Sequence, residues 1–147
     1  MTLYTIGYEG IDINRFLKAL KLFKISTVVD VRKLAFSRKK DFCKKALAAR
    51  LTKNRIEYFD LSNLGASKEL RGKLQKTGNY TVFFREYRKF LRQNIHLIDD
   101  IRELIDDGRQ VALLCFEKDN EKCHRKIVAE EVKKMNGNSL KIVPILY

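Results

Sequence analysis

Residues 111–125 read Val-Ala-Leu-Leu-Cys-Phe-Glu-Lys-Asp-Asn-Glu-Lys-Cys-His-Arg. The first six are apolar without interruption, the pattern of a strand buried on both faces, as in the middle of a parallel sheet. A polar turn follows. Cys123 to Met135 then reads as a helix with Ile127, Val128, Val132 and Met135 inward and Gly137 as its stop. Buried strand, polar turn and amphipathic helix form the repeating unit of a parallel α/β sheet.

Working outward, the same alternation recurs. Downstream, Ile142 to Tyr147 supplies a last strand. Upstream, Phe83, Phe84, Tyr87, Phe90 and Leu91 mark one helix. Ile98, Ile101, Leu104 and Ile105 mark a second, which Gly108 ends. Before them lie a stretch rich in basic and aromatic residues and a loop around Leu64-Gly65. Ile56 to Leu61 is a third strand, and Ser37 to Asn54 a helix with Phe42, Cys43, Ala46, Leu47 and Leu51 inward. Ile25 to Val31, rich in β-branched residues, is a second strand. Asp12 caps a helix whose stripe is Ile13, Phe16, Leu17, Leu20 and Phe23. Leu3 to Ile6 is a first strand closed by Gly7. The expected fold is one three-layer α/β domain over residues 1–147. Its mainly parallel sheet of about five strands carries helices on both faces.

Composition agrees with one domain. The chain has 147 residues, 45% of them hydrophobic, with nine Phe and six Tyr. That is enough apolar material for a core, which excludes charge-driven disorder. No apolar run approaches the roughly 18 residues of a membrane span. Met1-Thr2-Leu3-Tyr4-Thr5 enters a strand pattern directly, so no secretory signal is expected. Three cysteines, an odd count, argue for a reducing cytoplasm rather than a disulfide framework.

The net charge of +13 is concentrated in two segments. Arg32 to Arg55 holds ten basic residues against the single acid Asp41. Arg71 to Arg92 holds seven against Glu86. Between Gln93 and Glu121 the balance turns acidic. Such segments are either solvated helix faces or a surface for anions.

In open α/β sheets, ligands bind beyond the carboxyl ends of the strands. Those ends carry Gly7-Tyr8-Glu9, Asp30-Val31-Arg32, Leu64-Gly65, and Cys115-Phe116-Glu117 followed by Cys123-His124-Arg125. Glycine at the first and third turns would let a ligand approach the backbone. Arg125 offers a planar donor fork at the start of a helix, where anions are favoured. His124 titrates near neutrality. Asp30 and Arg32 share one face of a strand end. Asp30 is therefore either a general base or the partner that orients Arg32 or Arg125, the ion pair being the commoner outcome. Glu9 and Glu117 are the other carboxylates, and Tyr8 either stacks on a base or joins the core. Cys123 and Cys115 are candidate reactive thiols at a helix start, with a small core residue the plainer reading of Cys123. Cys115, Cys123 and His124 would give three metal ligands. No Cys-x-x-Cys pair accompanies them, however, so neither zinc nor another cofactor is expected.

Thr5-Ile6-Gly7-Tyr8, Asp30-Val31-Arg32, Leu64-Gly65 and Leu113-Leu114-Cys115-Phe116-Glu117 with Cys123-His124-Arg125 together resemble the domain-of-unknown-function family numbered 488. The likeness runs from Thr5 to about Val132. Leu34-Ala35 stands where that family usually has a proline, and Gly65-Ala66 where it tends to have two glycines. The resemblance implies an α/β domain and assigns no activity.

Three functions fit the residues. One is a site for a phosphate-bearing ligand, a nucleotide or nucleic acid. Arg32 and Arg125 would hold phosphate there, with Asp30, Glu117 or His124 as acid/base groups. The second is a cysteine-nucleophile enzyme of rhodanese-like type using Cys115. The third is a non-enzymatic nucleic-acid binder using the two basic segments with Phe36, Tyr80, Phe83 and Phe84 interleaved.

Overall fold

A computed structural model of the chain describes residues 1–33 and 38–147. Five strands form one wholly parallel sheet: β1 (Thr2–Gly7), β2 (Thr27–Asp30), β3 (Glu57–Asp60), β4 (Val111–Cys115) and β5 (Lys141–Pro144). Their spatial order is β3-β2-β4-β1-β5. The apolar run therefore lies at the centre. Val111 pairs with Leu3 on one side and Thr27 on the other, and all five β4 residues are buried.

Because side chains alternate across a strand, β4 feeds two separate cores. Val111, Leu113 and Cys115 join one cluster with Phe83, Tyr87, Leu91, Ile98, Ile101, Ile127 and Val128. Ala112 and Leu114 join the other with Phe16, Leu20, Leu47 and Leu51. The helices divide accordingly. On the second face lie α1 (Ile13–Leu22) and α2 (Lys44–Lys53). On the first lie α3 (Lys68–Thr77), α4 (Tyr80–Gln93), α5 (Ile95–Asp106) and α6 (Arg125–Met135). Asp12 caps α1 by accepting from the Arg15 N–H at 2.8 Å. Among the described residues no helix is long and apolar enough to cross a membrane.

Several boundaries differ from expectation. The helix expected over Ser37–Asn54 is interrupted. A 3-10 turn, Lys40–Phe42, is followed by extended Cys43 (ψ 147°), and α2 begins only at Lys44. Ser37, Phe36 and the Leu34-Ala35 pair lie outside the described residues. Three helices, not two, fill the interval between β3 and β4. The additional one, α3, is capped by Ser67, whose side chain accepts from Leu70 N–H, and it buries no residue fully. Only Leu70 and Leu74 hold it to the core, a four-residue spacing with too little apolar surface to show as a stripe. The last strand is Lys141–Pro144 rather than Ile142–Tyr147; Pro144, which has no N–H to donate, closes an edge strand. Finally, α6 begins at Arg125. Cys123 is extended (φ −133°) and His124 caps the helix.

Candidate functional site

The parallel sheet brings the carboxyl ends of β1, β2 and β4 to one edge, and a cavity of about 560 Å³ opens there. Cys115, His124 and Tyr8 line it from the sheet side, with Phe116, Glu117 and Lys122 from the turn after β4. Arg32, Lys33, Arg38 and Lys39 come from the segment after β2. Arg71, Leu74, Tyr80 and Phe83 come from α3 and α4, and Ala66 completes the wall. The leading parts of both basic segments therefore meet at one place. Six cationic side chains and one carboxylate line it. Four of the six, Lys33, Arg38, Arg71 and Lys122, form no ion pair with a carboxylate among the described residues.

The other two are committed to the fold. Lys39 donates to the carbonyls of Tyr8 (3.2 Å) and Ile11 (2.6 Å). Asp30, fully buried, accepts from Arg32 Nε (2.9 Å), Nη2 (2.7 Å) and backbone N–H (3.1 Å), and from the Tyr58 hydroxyl (2.6 Å). Arg32 Nη1 donates to the Tyr8 hydroxyl (3.0 Å) and the Phe42 carbonyl (2.7 Å). Burial opposes the charge on Arg32, yet the bidentate bond to Asp30 raises its pKa. Asp30 thus orients Arg32, not Arg125, and does not line the cavity itself. Tyr8 is a core residue on one face, stacked on Phe42 at 4.3 Å, and a cavity wall on the other.

Tyr58 and Tyr87 are tied into this frame, to Asp30 and to the Leu64 carbonyl. Burial holds both phenols above their usual pKa, and Asp30 adds to the shift at Tyr58. The unfolded chain releases these protons above about pH 10 while the fold retains them. The unfolded state then binds fewer protons, so stability is complete below that pH and falls as pH rises through it. Unfolding midpoints measured from about pH 9 to 11 are expected to decline less steeply in Tyr58→Phe than in the wild type. Parallel declines would show that Tyr58 titrates alike in both states.

The two glycines leave room for the chain rather than for a ligand. A Cβ at Gly7 would lie 1.9 Å from the Glu117 carbonyl oxygen, and one at Gly65 would lie 2.3 Å from Lys33 Cα. The turns after β1 and β4 are locked together there. Tyr8 and Glu9 N–H donate to the Phe116 carbonyl, and Lys118 N–H to Glu9 Oε1 at 3.0 Å. Glu9 is exposed and works as this clasp.

Arg125 also departs from expectation. It is 2% exposed and does not line the cavity; its Nη2 reaches only the Lys118 carbonyl at 3.4 Å. Its Nε and Nη1 have no partner among the described residues. The neighbouring His124 turns the other way. Its Nε2 lies 2.8 Å from the Val31 carbonyl, an acceptor only, so Nε2 carries the proton and Nδ1 faces two sulfurs. Cys115 Sγ is 3.8 Å and Cys123 Sγ 3.9 Å from that Nδ1, and the three atoms lie within 4.8 Å of one another. Burial, with Cys115 beside it, pushes the Cys123 thiol well above its usual pKa. Burial also works against charge on His124, but Cys123 and the Val31 carbonyl outweigh it and raise the imidazole pKa. Much of the backbone in the turn after Cys115 is already engaged. The N–H groups of Lys118, Glu121, Lys122 and Cys123 are bonded to Glu9, Asp119 and Asn120.

Reading the strand ends alone misses Lys33, Arg38, Lys39, Arg71 and Lys122 as cavity residues. The basic segments with interleaved Tyr80 and Phe83 were the available signal for this wall, but without α3 there was no place to put Arg71.

No curated protein and no solved structure matches the chain. The family model described as a domain of unknown function, DUF488, matches residues 12–132. That span runs from the cap of α1 into α6 and contains β2, β4 and most of the cavity wall, so the chain belongs to the DUF488 family.

Proposed function

We propose that the cavity binds a phosphate-bearing ligand of nucleotide size. The carrying observation is the wall of Lys33, Arg38, Arg71 and Lys122, none of which forms an ion pair with a carboxylate among the described residues. An anion is the partner such a wall lacks. A volume of about 560 Å³ suits a small ligand. Tyr80, Phe83 and Phe116 supply aromatic surface against which a base can pack. Glu117, the one carboxylate of the wall, is placed to exchange a proton with a bound ligand. In this reading Asp30 acts through Arg32, and Arg125 supports the turn that carries Glu117.

Calorimetry with mononucleotides at low salt tests this, alongside anisotropy with a labelled single-stranded oligonucleotide. Arg71 and Lys122 are exposed, so their replacement leaves the fold intact. A charged hydrogen bond is worth about 1.5–3 kcal/mol, so Arg71→Ala and Lys122→Ala should each weaken binding about tenfold or more. Wild-type affinity in both variants, or no binding by the wild type, would sink the proposal. An oligonucleotide that binds far more tightly than the mononucleotide, with log affinity falling about 0.7 per contacted phosphate as salt rises, would move the assignment to a nucleic-acid strand.

A further inference from the structure

We infer that Cys115, Cys123 and His124 form a zinc site at the floor of the cavity, with one coordination position open to the ligand space. Two separate stretches of chain converge on it. Cys115 closes the central strand, Cys123 sits in extended backbone after the Asn120–Lys122 turn, and His124 caps α6. All three are buried, and their donor atoms lie within 4.8 Å of one another.

The distances suit a small thiophilic cation. Metal–sulfur bonds of about 2.3 Å and metal–nitrogen bonds of about 2.0–2.1 Å at tetrahedral angles put S and N ligands about 3.6 Å apart. The two Sγ···Nδ1 separations here are 3.8 and 3.9 Å. Shifts of a few tenths of an ångström would bring both sulfur–nitrogen separations to that value. These lengths are also long for hydrogen bonds.

The imidazole is set for the task. Its Nε2 proton is bonded to the Val31 carbonyl at 2.8 Å, which fixes the ring and leaves the Nδ1 lone pair directed at the sulfurs. Metal-bound histidines are held in this way by a backbone carbonyl or carboxylate on the far nitrogen.

The donor set selects the ion. Two thiolates and one imidazole suit zinc, whereas calcium and magnesium demand oxygen. Two thiolates neutralise Zn²⁺, and no nearby carboxylate is needed. Three protein ligands leave the fourth place to an outside donor, the arrangement of reactive rather than purely structural zinc sites. Cys115 and His124 both line the cavity, so that place faces the ligand space. The expectation of no metal rested on the missing Cys-x-x-Cys pair. That spacing describes ligands gathered by one tight turn, and here the fold gathers them from a strand end and a helix cap.

The test uses the full chain, reduced, stripped with a chelator and kept free of oxygen. Titration with Co²⁺ should give thiolate-to-cobalt charge-transfer bands and strong visible bands, saturating at one ion per chain and bleached by Zn²⁺. Cys123→Ser and His124→Ala should abolish them, and Cys43→Ser should retain them. Azide added to the cobalt form should shift the visible bands by taking the open position. A wild-type chain that takes up no cobalt or zinc overturns the site without reference to any variant. Uptake unchanged in Cys123→Ser and His124→Ala overturns the ligand set, and bands insensitive to azide overturn the open position. Nucleotide binding that survives a failed metal titration leaves the phosphate reading standing, so the two proposals fail separately.

Discussion

Asp30→Ala is expected to destabilise the fold by about 3–5 kcal/mol, because it strands a buried guanidinium. Asp30 is 0% exposed and Arg32 4%, and the two form a bidentate pair at 2.7–2.9 Å. Removing the carboxylate also orphans the Tyr58 hydroxyl and the Arg32 backbone N–H. The cost lies in what is left unpaired rather than in the attraction that is lost. The double variant Asp30→Leu with Arg32→Met should therefore recover much of the loss, since apolar replacement of a buried pair is often nearly neutral. Urea unfolding of the single and double variants measures both. A single-variant loss below about 1 kcal/mol, the range of exposed pairs, would show that water reaches Arg32. Arg32 also holds the hydroxyl of Tyr8, which lines the cavity, so the variant should weaken any ligand held there.

Gly7→Ala should be comparably severe. The new Cβ would lie 1.9 Å from the Glu117 carbonyl oxygen, and that oxygen cannot retreat without moving the turn that Tyr8, Glu9 and Lys118 hold in place. Overpacking of this kind costs about 1–3 kcal/mol when side chains can yield and more when backbone must. We expect about 3 kcal/mol or loss of folded protein. Gly72 provides the opposite sign from the same chemical change. It lies inside α3 with nothing within 4 Å of where a Cβ would stand, so Gly72→Ala should stabilise by about 0.5–1 kcal/mol through helix propensity. Equal thermal shifts in the two variants would refute the steric argument at Gly7.

The layered sheet was legible because all five residues of β4 are apolar and the flanking helices carry full stripes. α3 was not, since two leucines attach it and the rest of its surface is solvated. The strand ends drew attention to Cys115, Glu117 and His124, and all three line one cavity. What the residues could not reveal is direction. Successive residues at a helix start point about 100° apart, so His124 faces the sulfurs while Arg125 beside it faces Lys118. Likewise Gly7 and Gly65 announced close approach without saying whose atoms would approach; the partner proves to be the chain's own backbone.

The central position of β4 also sets an order of events during synthesis. Both basic segments, Arg32–Arg55 and Arg71–Arg92, precede Val111 in the chain, whereas β1 and β2 meet only through β4. A nascent chain therefore displays most of its positive charge before the strand that joins the sheet exists, and before Cys115, Phe116, Glu117, Lys122 and His124 can close the cavity. Until then the emerging chain is a polycation without a pocket, and the cavity arrives only with residues 111–124.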